Sequence, residues 1–94
     1  MATFALICID KPAALDLRMA TREAHLAWAR DRMAEIKLAG PFLNEDGTMA
    51  GSMFILEAAD LTAAKAFNAA DPYTKAGLFE RVDVRAFRVT LGQL

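Results

Sequence analysis

The sequence predicts an α+β fold with the element order β-α-β-β-α-β, an antiparallel four-stranded sheet carrying both helices on one face. Three observations carry this. Apolar runs of strand length alternate with stretches of helical periodicity in that order. An Asp-Gly pair, Asp46-Gly47, joins the two middle strands through a tight turn. The first and third strands are apolar on both parities, although two helices can cover only one side of a sheet. The uncovered side therefore calls for a second sheet, and a sheet-to-sheet homodimer is the expected assembly.

The chain of 94 residues is expected to form one domain, residues 1–94. A domain of this size buries roughly 60–65% of its unfolded surface. Against that modest core stands a 55% hydrophobic composition, an excess that self-association would cover. The formal charge is −1 and the basic residues are scattered, which argues against nucleic acid and anionic membrane as partners. No apolar run approaches the ~20 residues of a membrane span, and no basic-then-apolar leader precedes the first strand. The single cysteine, Cys8, lies inside an apolar strand and reads as a reduced packing residue. The expected compartment is cytoplasmic.

The first strand runs from Ala2 to Ile9 and is ended by Asp10-Lys11-Pro12. Pro12 suits the first turn of a short helix, Ala13 to Ala20, with a break expected near Thr21. The main helix is then expected over Thr21 to Lys37, with Thr21 as N-cap and Glu23 in the first turn. Leu26, Ala29, Met33 and Ile36 form its apolar stripe, and Gly40-Pro41 lies past its end. Pro41 to Asn44 reads as a short strand and Gly51 to Ala58 as its return. Asp60 or Thr62 caps a second helix, Leu61 to Ala70, with Leu61, Ala64 and Phe67 facing the core. Asp71-Pro72 closes that helix, one further turn spans Pro72 to Ala76, and Gly77 stops it. Leu78 to Leu91 is the last strand. Val82, Val84 and Ala86 share one parity and Phe87, Val89 and Leu91 the other, so a bulge is expected between Arg85 and Phe87. The whole order matches the ferredoxin-like split βαβ arrangement.

Familiar catalytic signatures are missing. The sequence has no phosphate-binding loop, no dinucleotide fingerprint, no cysteine pair and no second histidine, so neither a metal cluster nor a bound cofactor is expected. A serine hydrolase would need a nucleophile elbow, and Gly51-Ser52 lacks its flanking glycines. What remains is one histidine with carboxylates. His25, expected one turn into the main helix, is the candidate base, since burial and the helix N-terminus would both favour a neutral imidazole. Asp71 is its candidate partner. It also reads as an N-cap ahead of a proline, and the two roles are compatible. Arg18 and Arg22, four apart, share a face ahead of His25 where they would clamp a substrate carboxylate; the alternative is that they are solvated or pair with Asp16 or Glu23. Tyr73 and Ser52 complete the candidate substrate-binding set. Trp28 reads as packing, Asp46 as turn chemistry, and Lys75 and Glu80 as solvated.

The stretches Arg22-Glu23-Ala24-His25-Leu26, Gly40-Pro41-Phe42 with Glu45-Asp46-Gly47, Gly51-Ser52, and Asp71-Pro72-Tyr73 with Ala76-Gly77-Leu78-Phe79 occur in the order and spacing of YciI-related proteins. The chain resembles that family over essentially its whole length. The resemblance implies a fold of the dimeric α+β barrel type and a pocket beside a His–Asp pair, which falls on His25 and Asp71. Some members look like small lyases, including a dehydrochlorinase of chlorinated hydroxyquinones, and the wider superfamily includes muconolactone isomerases.

Three classes of function stay open at this level, the third being a purely structural dimer. The first is a small cofactor-free enzyme, lyase- or isomerase-like, in which His25 moves a proton on a small cyclic or aromatic acid or phenol. The second is a non-catalytic dimeric module that binds a small metabolite or a partner protein. Whether His25 titrates and faces a pocket separates the first two.

Overall fold

A computed structural model describes all residues from Met1 to Leu94. The elements are β1 (Ala2–Asp10), α1 (Leu15–Arg30), β2 (Ile36–Leu43), β3 (Met49–Ala58), α2 (Leu61–Ala70), α3 (Pro72–Lys75) and β4 (Phe79–Ala86). The strands form one antiparallel sheet in the order β2-β3-β1-β4, the ferredoxin-like arrangement.

Register sorts the side chains into two faces. Phe4 pairs with Leu56, Leu6 with Phe54 and Cys8 with Ser52, so these share one face. That face meets the helices. Phe4, Leu6, Ile36, Phe54, Leu56 and Ala58 join Ala64 and Phe67 of α2 in the core, with Trp28 and Ala29 of α1 packed against it. The opposite parity, Ala5 with Ile55 and Ile7 with Met53, builds a second apolar face that carries no helix. Gly51 is required where β3 passes between its neighbours, because a Cβ there would stand 2.5 Å from the Cys8 carbonyl oxygen and 3.0 Å from the Phe42 ring. Asp46 ties the β2–β3 turn by accepting from the Thr48 N–H at 3.0 Å and its hydroxyl at 2.7 Å. These bonds hold the Asp46 carboxyl below its ordinary range.

The first helix differs from the expectation in both extent and continuity. It is a single helix starting after Ala13, whose backbone adopts φ 54°, and Ala14. No break occurs at Thr21. Its hydroxyl donates to the Leu17 carbonyl one turn back at 2.9 Å, so Thr21 lies in the helix interior rather than capping a new one. The helix also ends at Arg30, well before Lys37. Residues 31–35 are a turn, Met33 is 60% exposed, and Ile36 is buried as the first residue of β2. His25 consequently stands in the third turn, beyond the reach of the helix N-terminus invoked for it.

Elsewhere the corrections are smaller. Asp60 caps α2 by accepting from the Ala63 N–H at 2.8 Å, while Leu61 remains exposed. β4 stops at Ala86, so the parity switch beyond it belongs to the chain leaving the sheet rather than to a bulge. The register shifts lie instead at Ile9/Asp10 against β4 and at both ends of β2 against β3. No helix is long and apolar enough to cross a membrane.

Candidate active site

Helix α1 is the site's spine. Arg18, Arg22 and His25 follow one another at spacings of four and three and so share a face. Across from them, α2 gives way to α3 at Asp71. The Asp71 N–H still donates to Asn68, while its side chain caps the next helix, with Oδ1 accepting from the Tyr73 N–H at 2.9 Å. Pro72 at the first helical position completes this cap.

The same Oδ1 lies 2.8 Å from His25 Nδ1. The Asp71 side chain is wholly buried and that of His25 is 12% exposed. With Nδ1–H donating to the carboxylate, the neutral imidazole keeps its basic lone pair on Nε2. One oxygen thus closes the helix turn and orients the imidazole. The other, Oδ2, is buried without a hydrogen-bond partner. Asp71 Oδ1 therefore both caps α3 and contacts the imidazole.

Tyr73 follows from the same turn. Its ring stacks on the imidazole at 4.0 Å between centres and 17° between planes. The Arg18 guanidinium lies 4.5 Å from the centre of that ring. Seven residues separate Arg18 from His25, about 10.5 Å along the helix, which leaves the space of one ring between them. Burial pushes the Tyr73 phenol above its ordinary pKa, and the Arg18 and Arg22 charges offset only part of this. The phenol is therefore a neutral hydroxyl at physiological pH.

Arg18 is not solvated, and neither Asp16 nor Glu23 is its partner. It is buried, with Nε donating to Asp10 Oδ2 at 2.7 Å and Nη2 to Asp10 Oδ1 at 3.0 Å. Nη2 also donates to Ser52 Oγ at 2.8 Å. Burial alone would weaken the charged form, but Asp10 more than offsets it and holds the guanidinium above its ordinary pKa. Ser52 spends a lone pair on Arg18, which leaves its O–H as the available donor.

A cavity of about 330 Å³ lies between α1 and the β2–β3 side of the sheet. Arg18, Arg22, His25, Ser52 and Tyr73 all border it, and Asp71 stands behind His25, outside the wall. Five of the six residues singled out from the sequence thus meet at one opening, and the sixth touches the imidazole. The remaining wall is largely apolar. Trp28 packs on Phe67 at 4.7 Å between ring centres, as core packing requires. Cys8 lies beneath, where burial and the Asp71 charge push its thiol up to about 12 despite the Asn68 amide donating to Sγ at 3.5 Å. No group of three or more His, Cys, Asp or Glu side chains is placed to hold a metal ion.

Asp10 was the residue that sequence reasoning passed over. It reads as the polar end of a strand, and its signal, a carboxylate eight residues before Arg18, has meaning only once the β1–α1 turn folds back.

The YCII-related domain model matches residues 2–88. Protein YciI of Escherichia coli is 39% identical over 87 residues, covering 84% of this chain and 89% of that protein. An uncharacterized protein of Haemophilus influenzae is 37% identical over 93 residues, covering 90% and 95%. Among solved structures, 5-chloro-2-hydroxyhydroquinone dehydrochlorinase (TftG) from Burkholderia phenoliruptrix, in complex with 2,5-dihydroxybenzoquinone, superposes with a TM-score of 0.85 at 34% identity over 92% of this chain and 93% of that one. An antibiotic biosynthesis monooxygenase, at 15% identity and a TM-score of 0.58 over 97% and 100%, shares the fold.

Proposed function

This chain belongs to the YCII-related family, and we propose that it is a small cofactor-free enzyme of lyase or isomerase type acting on a small cyclic or aromatic acid or phenol. The observation that carries the reading is the 2.8 Å contact between His25 Nδ1 and the buried Asp71 Oδ1, made at the wall of a cavity. Asp71 fixes the tautomer, and His25 Nε2 takes a proton from the substrate. In an elimination the leaving group then departs with its bonding electrons as an anion. In an isomerisation the imidazolium returns the proton at another carbon. Such transfer contributes a rate factor of roughly 10² to 10⁴. Arg22, which has no carboxylate within ion-pairing distance, holds the substrate's anionic group. The Ser52 hydroxyl and the Tyr73 phenol serve as neutral donors, with Arg18 holding Ser52 in place.

The likeness to a dehydrochlorinase at 34% identity supports trying elimination first. Chlorinated hydroquinones and small unsaturated lactones are the substrates to screen, read by chloride release and ultraviolet absorbance. Wild-type turnover that is lost in His25→Ala supports the reading, and turnover that survives this change overturns it.

The enzyme is further proposed to work as a cytoplasmic homodimer joined through the helix-free face bearing Ile7, Met53 and Ile55. Sedimentation as a monomer at all concentrations would refute the dimer.

A further inference from the structure

The cavity wall carries four cationic side chains, Arg18, Arg22, Arg30 and Lys37, and no carboxylate. In a chain with 11 basic and 12 acidic residues, this is a local segregation of charge. Two of the four are already matched, since Arg18 pairs with Asp10 and Lys37 with Glu57. Arg22 and Arg30 are left without a carboxylate partner.

Both line the cavity from α1, eight residues apart, or about 12 Å along the axis and about 80° around it. His25 lies between them, about 4.5 Å along the axis from Arg22 and about 7.5 Å from Arg30. The rest of the cavity is largely apolar, with Leu26 and Ala29 from the helix and Ala39 and Phe54 from the sheet among its lining. A ligand with a single anionic group would use Arg22 and leave Arg30 without a counter-charge.

Building on the reading of this cavity as a substrate site, we infer that its ligand is a dianion: an apolar body with an anionic group at each end, one on Arg22 and one on Arg30, its reacting carbon beside His25. Two guanidinium groups without carboxylate partners on the wall of a largely apolar cavity match carboxylates or phenolates, which accept charge-assisted hydrogen bonds. A second such contact multiplies affinity by about tenfold or more.

Octanoate and suberate test this directly, being acids of one chain length that differ in the second carboxylate. Calorimetric titration of the full chain is expected to show suberate binding about tenfold more tightly than octanoate. Arg30→Gln should bring that ratio close to one. Arg22→Gln should weaken both acids. Arg88→Gln, which removes a charge outside the cavity, should leave the ratio as it is. A wild-type ratio near one overturns the dianion inference while leaving the cavity as an acid-binding site. A ratio that falls equally in Arg88→Gln overturns it too, by assigning the preference to overall charge. If neither acid binds and Arg22→Gln changes nothing, the inference and the substrate-site reading beneath it both fail.

Discussion

The His25 imidazole and the Tyr73 phenol ring lie 4.0 Å apart between centres and 17° from parallel, and one atom, Asp71 Oδ1, bonds both residues. The backbone of one and the side chain of the other are thereby fixed together. Replacing Tyr73 with Phe keeps the stack and removes only the hydroxyl. Replacing it with Ala removes the stack and opens a cavity, at a cost of about 3–5 kcal/mol. Urea denaturation should show that difference. The His25 ring signals in NMR should stay sharp in Tyr73→Phe and broaden in Tyr73→Ala. Equal stability of the two variants would mean that the ring contributes little.

Asp71→Asn is expected to cost about 1–3 kcal/mol, although asparagine is itself a good cap. Its Oδ1 can keep both bonds, but the amide group then occupies the buried Oδ2 position, which has no partner. Asp71→Ala should cost more, since the cap and the imidazole's partner are lost together. An Asp71→Asn protein as stable as the wild type would show that the Oδ2 position is better solvated than its burial implies.

Breaking the buried Asp10–Arg18 pair from either side should be costly. Arg18→Met leaves the Asp10 carboxylate without its fork, a loss of about 3–5 kcal/mol. Arg18→Lys should rescue only part of it, because an ammonium cannot bond both carboxylate oxygens and Ser52 in one plane. A double-mutant cycle over Asp10→Asn and Arg18→Met measures the coupling. Additive losses would contradict the pairing.

Cys8 sets an alkaline limit on stability. Its thiol titrates at about 12 in the folded chain, against an ordinary value of 9.0. Between those values the unfolded chain loses a proton that the folded chain retains, so the thiol's contribution is intact below pH 9.0 and declines as pH rises toward 12. Stability measured across this window should fall more steeply in the wild type than in Cys8→Ala. Parallel curves would show that the thiol titrates alike in both states. The same burial predicts that thiol reagents leave Cys8 unmodified at neutral pH until the chain unfolds.

β1 and β3 were legible because strand-length runs apolar on both parities, with a turn-forming Asp-Gly pair ahead of β3, are local signals; the first half of β2 was not, since Ile36 and Lys37 fit the helical stretch before it. The helix boundaries were not. Thr21 carries the side chain of a cap, and only the Leu17 carbonyl one turn back shows that its hydroxyl bonds inside a helix. Ile36 fits a helical stripe and a strand equally well; its pairing with Leu56 decides for the strand. His25 and Asp71 were found through their residue types and the family resemblance, while their contact spans 46 positions of sequence. The Asp10–Arg18–Ser52 chain went unread for the same reason, since it joins β1, α1 and β3.

The way α1 carries Arg18, Arg22, His25 and Arg30 makes it a ruler that refuses changes of length. One residue inserted between Arg18 and His25 would turn every later side chain by about 100° and advance it by about 1.5 Å. Arg18 would stay locked to Asp10, and the imidazole would leave Asp71. Descendants of this chain that keep the site are free to lengthen the hairpin at Glu45–Thr48 or the segment after Ala86, but must keep the count from Arg18 to Arg30.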